Sequence, residues 1–383
     1  MITTALGAVC VVIWCYLLCA RGAFWILRES KPAASRDFAP RPVAVIIPAR
    51  DEAQVVGAAI GSLLAQEYPG PLHIFVVDDE SSDGTADVAR NAAIAARKPD
   101  SVTVVPARAR PAGWTGKLWA LSEGIREARS FPAEYYLLTD ADVVHDPANL
   151  NQLVSRAQSG RYDLVSLMVE LRCHLMAERF LIPAFVFFFF MLYPPSWIER
   201  PDKRTAAAAG GCILIRCDAL DGMGGVAAIR SELIDDCALA RKAKRSGRRI
   251  WLGVTQRTKS MRQYRSWKEV TGMISRNAFT QLNHSALLLA LTCLGMLVTF
   301  IAPCVLFAVG GTGRVLGLIA WMLMSMSFLP TLRFYRRSVL WAPLLPGIAL
   351  FYIAATLDSA VSYWRGRGGV WKGRVQDPGP SPL

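Results

Sequence analysis

Carboxylates recur where strand-like runs end. Asp140-Ala141-Asp142 closes the run Tyr135–Thr139, and alternate residues at a strand end can splay two carboxylates onto one hard divalent cation. Pro48-Ala49-Arg50-Asp51-Glu52 follows Val43–Ile47, and Asp78-Asp79-Glu80-Ser81-Ser82-Asp83-Gly84-Thr85 follows Leu72–Val77. One such cluster is ordinary turn and cap chemistry, with Ser82 or Asp83 capping the next helix. Three at the ends of neighbouring strands repel one another unless a cation or hydrogen-bond donors compensate, so together they mark a site.

Other chemistry-bearing residues lie further along. Lys117, in Gly113-Trp114-Thr115-Gly116-Lys117, sits in a turn at a helix start, where an ammonium can meet a phosphate or simply face water. His145 reads as a solvated loop residue, with a metal role as the sharper alternative. Gly210-Gly211 precedes a strand and permits close backbone approach to a ligand, or only a bulge. Asp235-Asp236 opens an amphipathic helix, where the dipole favours acids and where one of them could serve as a general base.

The elements that must position these residues alternate. Strands are expected at Val43–Ile47, Leu72–Val77, Val102–Val105 and Tyr135–Thr139, with later ones at Asp163–Val169, Ala209–Ile215 and Arg249–Leu252. Helices are expected at Glu52–Gln66, where Val56, Ile60, Leu63 and Leu64 have helical spacing, at Gly84–Arg97 and at Lys117–Arg129. Such β-α-β units predict an α/β domain with a mainly parallel sheet that binds ligands at the C-terminal ends of its strands.

The ends of the chain are different. Of 383 residues 53% are hydrophobic and only 19% charged, which excludes a disordered chain and points to membrane segments. Residues 2–20 are apolar with basic residues only after them, so they predict a transmembrane anchor (1–30) whose C-terminal side is cytoplasmic. A Pro-rich linker (31–42), the α/β domain (43–270) and a membrane region (271–383) follow. That region has spans at 285–309 and 315–332, a third apolar stretch at 338–364 and a basic tail. A crossing by 338–364 would place the basic tail outside, so its prolines favour a re-entrant hairpin over a span. The Phe-rich stretch 180–198, within segment 174–198, has site candidates on both sides. One crossing there would divide them, so it is expected to lie in the interface or to pack in the domain. The net charge of +13 reads as inside-facing loops, since no basic helix with interleaved aromatics suggests nucleic acid. The nine cysteines include no C-x-x-C pair, so neither a zinc site nor a disulfide framework is supported.

The set VIIPARDE, VVDDESSDGT, DAD, GG and DD, in that order, resembles the family 2 inverting glycosyltransferases. More narrowly, GWTGKLWAL, AAAAGGCILIR, IDDCALARKAKRSG and TLDSAVSYWRGRGGVWKGR look like the hopene-associated glycosyltransferases of bacterial hopanoid clusters, with a wider likeness to ceramide-glucosyltransferase-like enzymes. The resemblance implies a GT-A fold on the cytosolic face of a bacterial inner membrane. It places Pro48, Asp51, Glu52, Asp79, Asp83, Lys117, Asp140, Gly210, Gly211, Arg262 and Arg265 around a nucleotide-sugar donor. It gives Asp140 and Asp142 a Mg2+ or Mn2+ ion, makes Asp236 the base and gives Asp235 a supporting role. The family usually has Glu-Asp where this chain has Asp235-Asp236. The Q-x-x-R-W of processive members is interrupted here, as Arg262-Gln263-Tyr264-Arg265-Ser266-Trp267, which argues against polymer extrusion. The expected activity is inverting transfer of a sugar, from UDP first of all, to a lipid hydroxyl, a hopanoid above others. Polyprenyl phosphate, carotenoid, ceramide-like or diacylglycerol acceptors are the alternatives. A non-catalytic nucleotide-sugar-binding membrane protein is the third reading.

Overall fold

The computed structural model describes residues 1–31, 39–366, 368–371 and 374–375. Most of the 31–42 linker and most of the basic tail lie outside the described residues. The chain divides into two compact units, one built of Glu29–Arg172 with Trp197–Arg262, the other of Met1–Arg28, Cys173–Ser196 and Gln263–Val370.

The first unit is an eight-stranded sheet with helices. Its strands are β1 (Val43–Ala49), β2 (Leu72–Asp78), β3 (Val102–Pro106), β4 (Tyr135–Thr139), β5 (Val143–Val144), β6 (Leu164–Glu170), β7 (Cys212–Arg216) and β8 (Ile250–Ser260). The order across the sheet is β3-β2-β1-β4-β7-β6-β8-β5. β3, β2, β1 and β4 run parallel, in register Val43↔Leu72 and Val43↔Tyr135. Every residue of β1 is buried, as a strand covered on both faces requires. The helices Val56–Leu64 and Thr85–Ala95 bury Ile60, Leu63 and Ala89 in the same core as Val45, Ile74 and Leu137.

The sheet is more mixed than the β-α-β alternation predicts. β7 runs antiparallel to both β4 and β6, and β5 is antiparallel to β8. β5 is two residues long, too short for any periodicity to show. β8 runs on through the polar stretch Thr255–Ser260, which masks its strand character in the sequence. Pro48 does not stop β1. It lies inside the strand, past the last residue paired with β4 (Ile46↔Leu138), where a missing N–H costs no ladder bond on that side.

The second unit is helical and apolar. Among the described residues, five helical stretches are long and apolar enough to cross a membrane: Ile2–Cys19, Met176–Glu199, Ala286–Val309, Gly313–Phe334 and Val339–Trp364. In the third, Pro303 has no N–H to give the carbonyl four residues back and crowds it. The helix answers with a π-turn over Leu297–Ile301. The freed carbonyl of Thr299 accepts from the indole N–H of Trp14 at 2.9 Å, and that of Val298 from the thiol of Cys10 at 3.4 Å. A defect in one helix thus becomes the docking point of another, as backbone in an apolar setting demands.

The Phe-rich segment forms the helix Met176–Leu192, and it is core to this helical unit. Phe187 packs edge-on against Phe24 and Phe328, and Phe188 against Phe300 and Tyr352. Its N-terminus is tied by Glu178, fully buried, which accepts from the backbone N–H groups of His174, Leu175 and Tyr264. The stretch 338–364 does not fold back as a hairpin. Val339–Leu344 is a 3-10 turn carrying Pro343, and Leu345–Trp364 is an unbroken α-helix with Pro346 in its first turn, where proline is tolerated.

Candidate functional site

The parallel half of the sheet delivers its polar clusters to one edge. β1 ends in Arg50 and Asp51, whose backbone takes the left-handed form at φ 49°. The Asp51 carboxylate accepts from Ser82 N–H at 2.9 Å, and its own N–H donates to Ser81 Oγ at 3.0 Å. Asp83 accepts from Ala53 N–H at 2.9 Å and from the Thr85 hydroxyl, and these donors hold its carboxyl below its usual range against the opposing effect of burial. The loops after β1 and β2 are therefore laced into one rim. Asp79, buried at the end of β2, faces the Arg50 guanidinium at 3.7 Å. Arg50 Nε is buried and has no hydrogen-bond partner among the described residues.

A second constellation gathers residues from three elements. Lys117 stands in the first turn of the helix Gly116–Ala128, whose Thr115 cap accepts from Leu118 N–H. Its ammonium lies 2.9 Å from Asp140 Oδ1 and 3.2 Å from Asp235 Oδ2. Burial disfavours that charge, but Asp140 and Asp235 overcome it and raise the pKa. Asp236 follows at the start of the helix Asp235–Arg245 and accepts from Gly210 N–H at 2.8 Å and Cys237 N–H at 2.7 Å. Burial, with repulsion from Asp235, pushes its carboxyl up to about 6, although Lys117 and the two N–H donors pull the other way. A Cβ on Gly210 would stand 3.2 Å from Asp236 Oδ2 and 3.3 Å from Lys117 Nζ, tight enough that one of these side chains would have to shift.

Asp142 lies under a third cation. It is buried, and its Oδ2 accepts from Ser260 Oγ at 2.8 Å and meets Arg262 Nε at 3.4 Å. Arg262 also donates to Glu52 at 2.8 Å. Asp140 and Asp142 supply two carboxylates, and no group of three or more His, Cys, Asp or Glu side chains poised for a metal occurs among the described residues. That donor set fits a Mg2+-type ion, which is held by one or two carboxylates and completed by substrate phosphates and water, rather than a closed protein cage.

Of the residues singled out from the sequence, Asp51, Glu52, Asp79, Asp83, Lys117, Asp140, Asp142, Gly210, Gly211, Asp235, Asp236 and Arg262 all fall in the sheet unit, most of them tied to one another as described. Pro48 is a buried strand residue. Arg265 belongs to the helical unit, where its N–H donates to Glu269. His145 is not a solvated loop residue. It is buried between the Thr139 hydroxyl at Nε2 and the Asn149 amide at Nδ1, each 3.0 Å away, and burial lowers its pKa to about 4. Because the amide of Asn149 donates to Nδ1, the proton is assigned to Nε2, and it points at Thr139 Oγ1. Thr139 in turn donates to the Gly211 carbonyl at 2.7 Å. Thr139 and Arg50 are the site neighbours that spacing alone did not single out.

Residues 40–279 match the model of the glycosyltransferase like family 2, more than half of the chain. No curated protein matches the sequence. Among solved structures, the mannosyltransferase PcManGT from Pyrobaculum calidifontis, in complex with GDP-Man and Mn2+, is similar over 93% of this chain and 98% of its own, at 17% identity and TM-score 0.56. The glucosyl-3-phosphoglycerate synthase of Mycobacterium tuberculosis, in complex with Mn2+, UDP and glucosyl-3-phosphoglycerate, is similar over 63% of this chain and 79% of its own, at 18% identity and TM-score 0.39. The sheet, its polar edge and the extent of the match together make this chain a member of the family 2 glycosyltransferases, with a GT-A-like fold.

Proposed function

We propose that the protein is a multi-pass enzyme of a bacterial cytoplasmic membrane. It transfers a sugar, with inversion, from a nucleotide-diphospho-sugar to a lipid hydroxyl. UDP is the first nucleotide to test and GDP the second, and a hopanoid is the first acceptor. The observation that carries this reading is the link from Asp236 through Lys117 to Asp140. A buried, weakly acidic carboxyl stands one ammonium away from the Asp-x-Asp end of β4.

The chemistry follows from those positions. The rim of Asp51, Asp79, Asp83 and Arg50 holds the nucleoside. The diphosphate lies towards Lys117 and Arg262, whose charges complement it. A divalent cation held by Asp140 and Asp142 would neutralise charge developing on the leaving diphosphate. Asp236 accepts the proton of the acceptor hydroxyl as that oxygen bonds to C1, and the C1–O bond to phosphate breaks on the opposite face. One base and no covalent carboxylate nucleophile suffice for this single displacement; double displacement would need a second carboxyl group as nucleophile. Asp235 shares Lys117 and so keeps that ammonium beside the base.

The lipid acceptor is favoured by the five apolar helical stretches. β6 and β7, on either side of the Cys173–Ser196 insertion, pair in one sheet, which supports an insertion that does not cross the bilayer an odd number of times. The binding-only reading is weakened by the retention of Asp142 and Asp236 in structured positions. The test is turnover by the detergent-solubilised protein of a panel of labelled UDP- and GDP-sugars with total membrane lipid, with and without EDTA. Label entering a lipid only without EDTA is expected. Label reaching no lipid from any donor, while nucleotide binding persists, would support the binding protein instead.

A further inference from the structure

Both carboxylates of the Asp140/Asp142 pair already carry a cation of the chain itself. Lys117 Nζ lies 2.9 Å from Asp140 Oδ1, and Arg262 Nε lies 3.4 Å from Asp142 Oδ2. Neither cation is single-minded. Lys117 is shared with Asp235 at 3.2 Å, and Arg262 with Glu52 at 2.8 Å. The Arg262 side chain is the more exposed of the two, at 41% against 22% for Lys117.

A divalent ion on these carboxylates would sit about 2.0–2.2 Å from their oxygens and compete with Lys117 and Arg262 for the same two negative charges. Alone, it would have to displace an ammonium and a guanidinium or sit close beside both, where like charges repel. A nucleotide diphosphate alone would meet the opposite obstacle, since Asp140, Asp142, Asp235, Asp236 and Glu52 surround the two cations. The pair of metal and diphosphate meets neither. The diphosphate takes Lys117 as a point charge and Arg262 as a planar fork, and the metal takes the carboxylates they leave.

We propose that Lys117 and Arg262 act as exchangeable counter-ions that make metal binding conditional on the donor's diphosphate. This rests on the donor-site reading above and adds the order of assembly to it. Because the coupling is thermodynamic, the metal must tighten nucleotide binding by the same factor by which nucleotide tightens metal binding. A site whose acids were free would bind metal first and gain less from nucleotide.

The experiment uses the full chain in detergent. Mn2+ binding is followed through loss of the free Mn2+ electron paramagnetic resonance signal, without nucleotide, with UDP and with GDP. For the wild type, one nucleotide should tighten Mn2+ binding about tenfold or more, within the range usual for coupled sites. Lys117→Met and Arg262→Gln should each bind Mn2+ alone more tightly than the wild type does and show a smaller nucleotide effect. Should Lys117→Met fail a thermal-melt check of folding, the more exposed Arg262→Gln carries the comparison. Wild-type Mn2+ affinity that is indifferent to a nucleotide shown to bind would overturn the exchange and leave the donor site standing. Variants that bind Mn2+ alone no better than the wild type would overturn the part given to these two residues. If neither nucleotide binds, the donor-site reading falls, and the exchange falls with it.

Discussion

The proposed mechanism turns on Asp236. A carboxyl pushed up to about 6 by burial and by Asp235 is a better base than a surface aspartate, and it is ionised at neutral pH. Protonation disables it, so kcat/KM should fall about tenfold per pH unit below about 6, read from a pH-rate profile at saturating metal. Gly210 fixes the carboxylate by its N–H and by having no side chain. Gly210→Ala would crowd Asp236 Oδ2 and Lys117 Nζ, and turnover should drop by on the order of tenfold or more with little change in melting temperature. His145 behaves differently. Its pKa lies near 4 in the fold against an ordinary 6.5, so the unfolded chain binds a proton that the fold resists. Stability from this group is complete above pH 6.5 and is lost as pH falls towards 4, by up to about 3 kcal/mol. His145→Gln should flatten that acid slope in thermal melts. The acids of the site were legible because strand-end turns exposed them as polar breaks in apolar runs. His145 was misread because its burial is made by Thr139 and Asn149, which no local pattern reveals.

At the scale of elements, local signals located most strands and helices, and long-range ones were missed. β1, β2, β3 and β4 announced themselves as short β-rich runs, and their parallel order followed from the helices between them. β6, β7 and the start of β8 were expected as strands too, but the antiparallel setting of β7 was not, because it follows the long Cys173–Ser196 insertion rather than a crossover helix, and the Thr255–Ser260 end of β8 hides in polar residues. Pro303 is a comparable case. A proline in an apolar run suggests a kink, but only the fold shows that Trp14 repairs the carbonyl it frees. Trp14→Phe keeps an aromatic ring but orphans Thr299 O, at a cost of about 1–3 kcal/mol. The melting temperature of the detergent-solubilised protein should fall accordingly. An unchanged value would mean that another donor serves that carbonyl.

For the whole molecule, the sequence shows an apolar, basic chain with a more hydrophilic middle, and the structure divides into two compact units. Their composition was not legible in the sequence, since the helical unit collects segments from the start, middle and end of the chain. In the proposed function the acids of the sheet unit act on a membrane lipid. The most direct measurement is transfer of labelled sugar to lipid by full-length Asp236→Asn in native membranes, with nucleotide binding measured on the same preparation. Transfer reduced by about 10²- to 10⁴-fold with nucleotide affinity unchanged is the expected result. Wild-type transfer by Asp236→Asn would contradict the account.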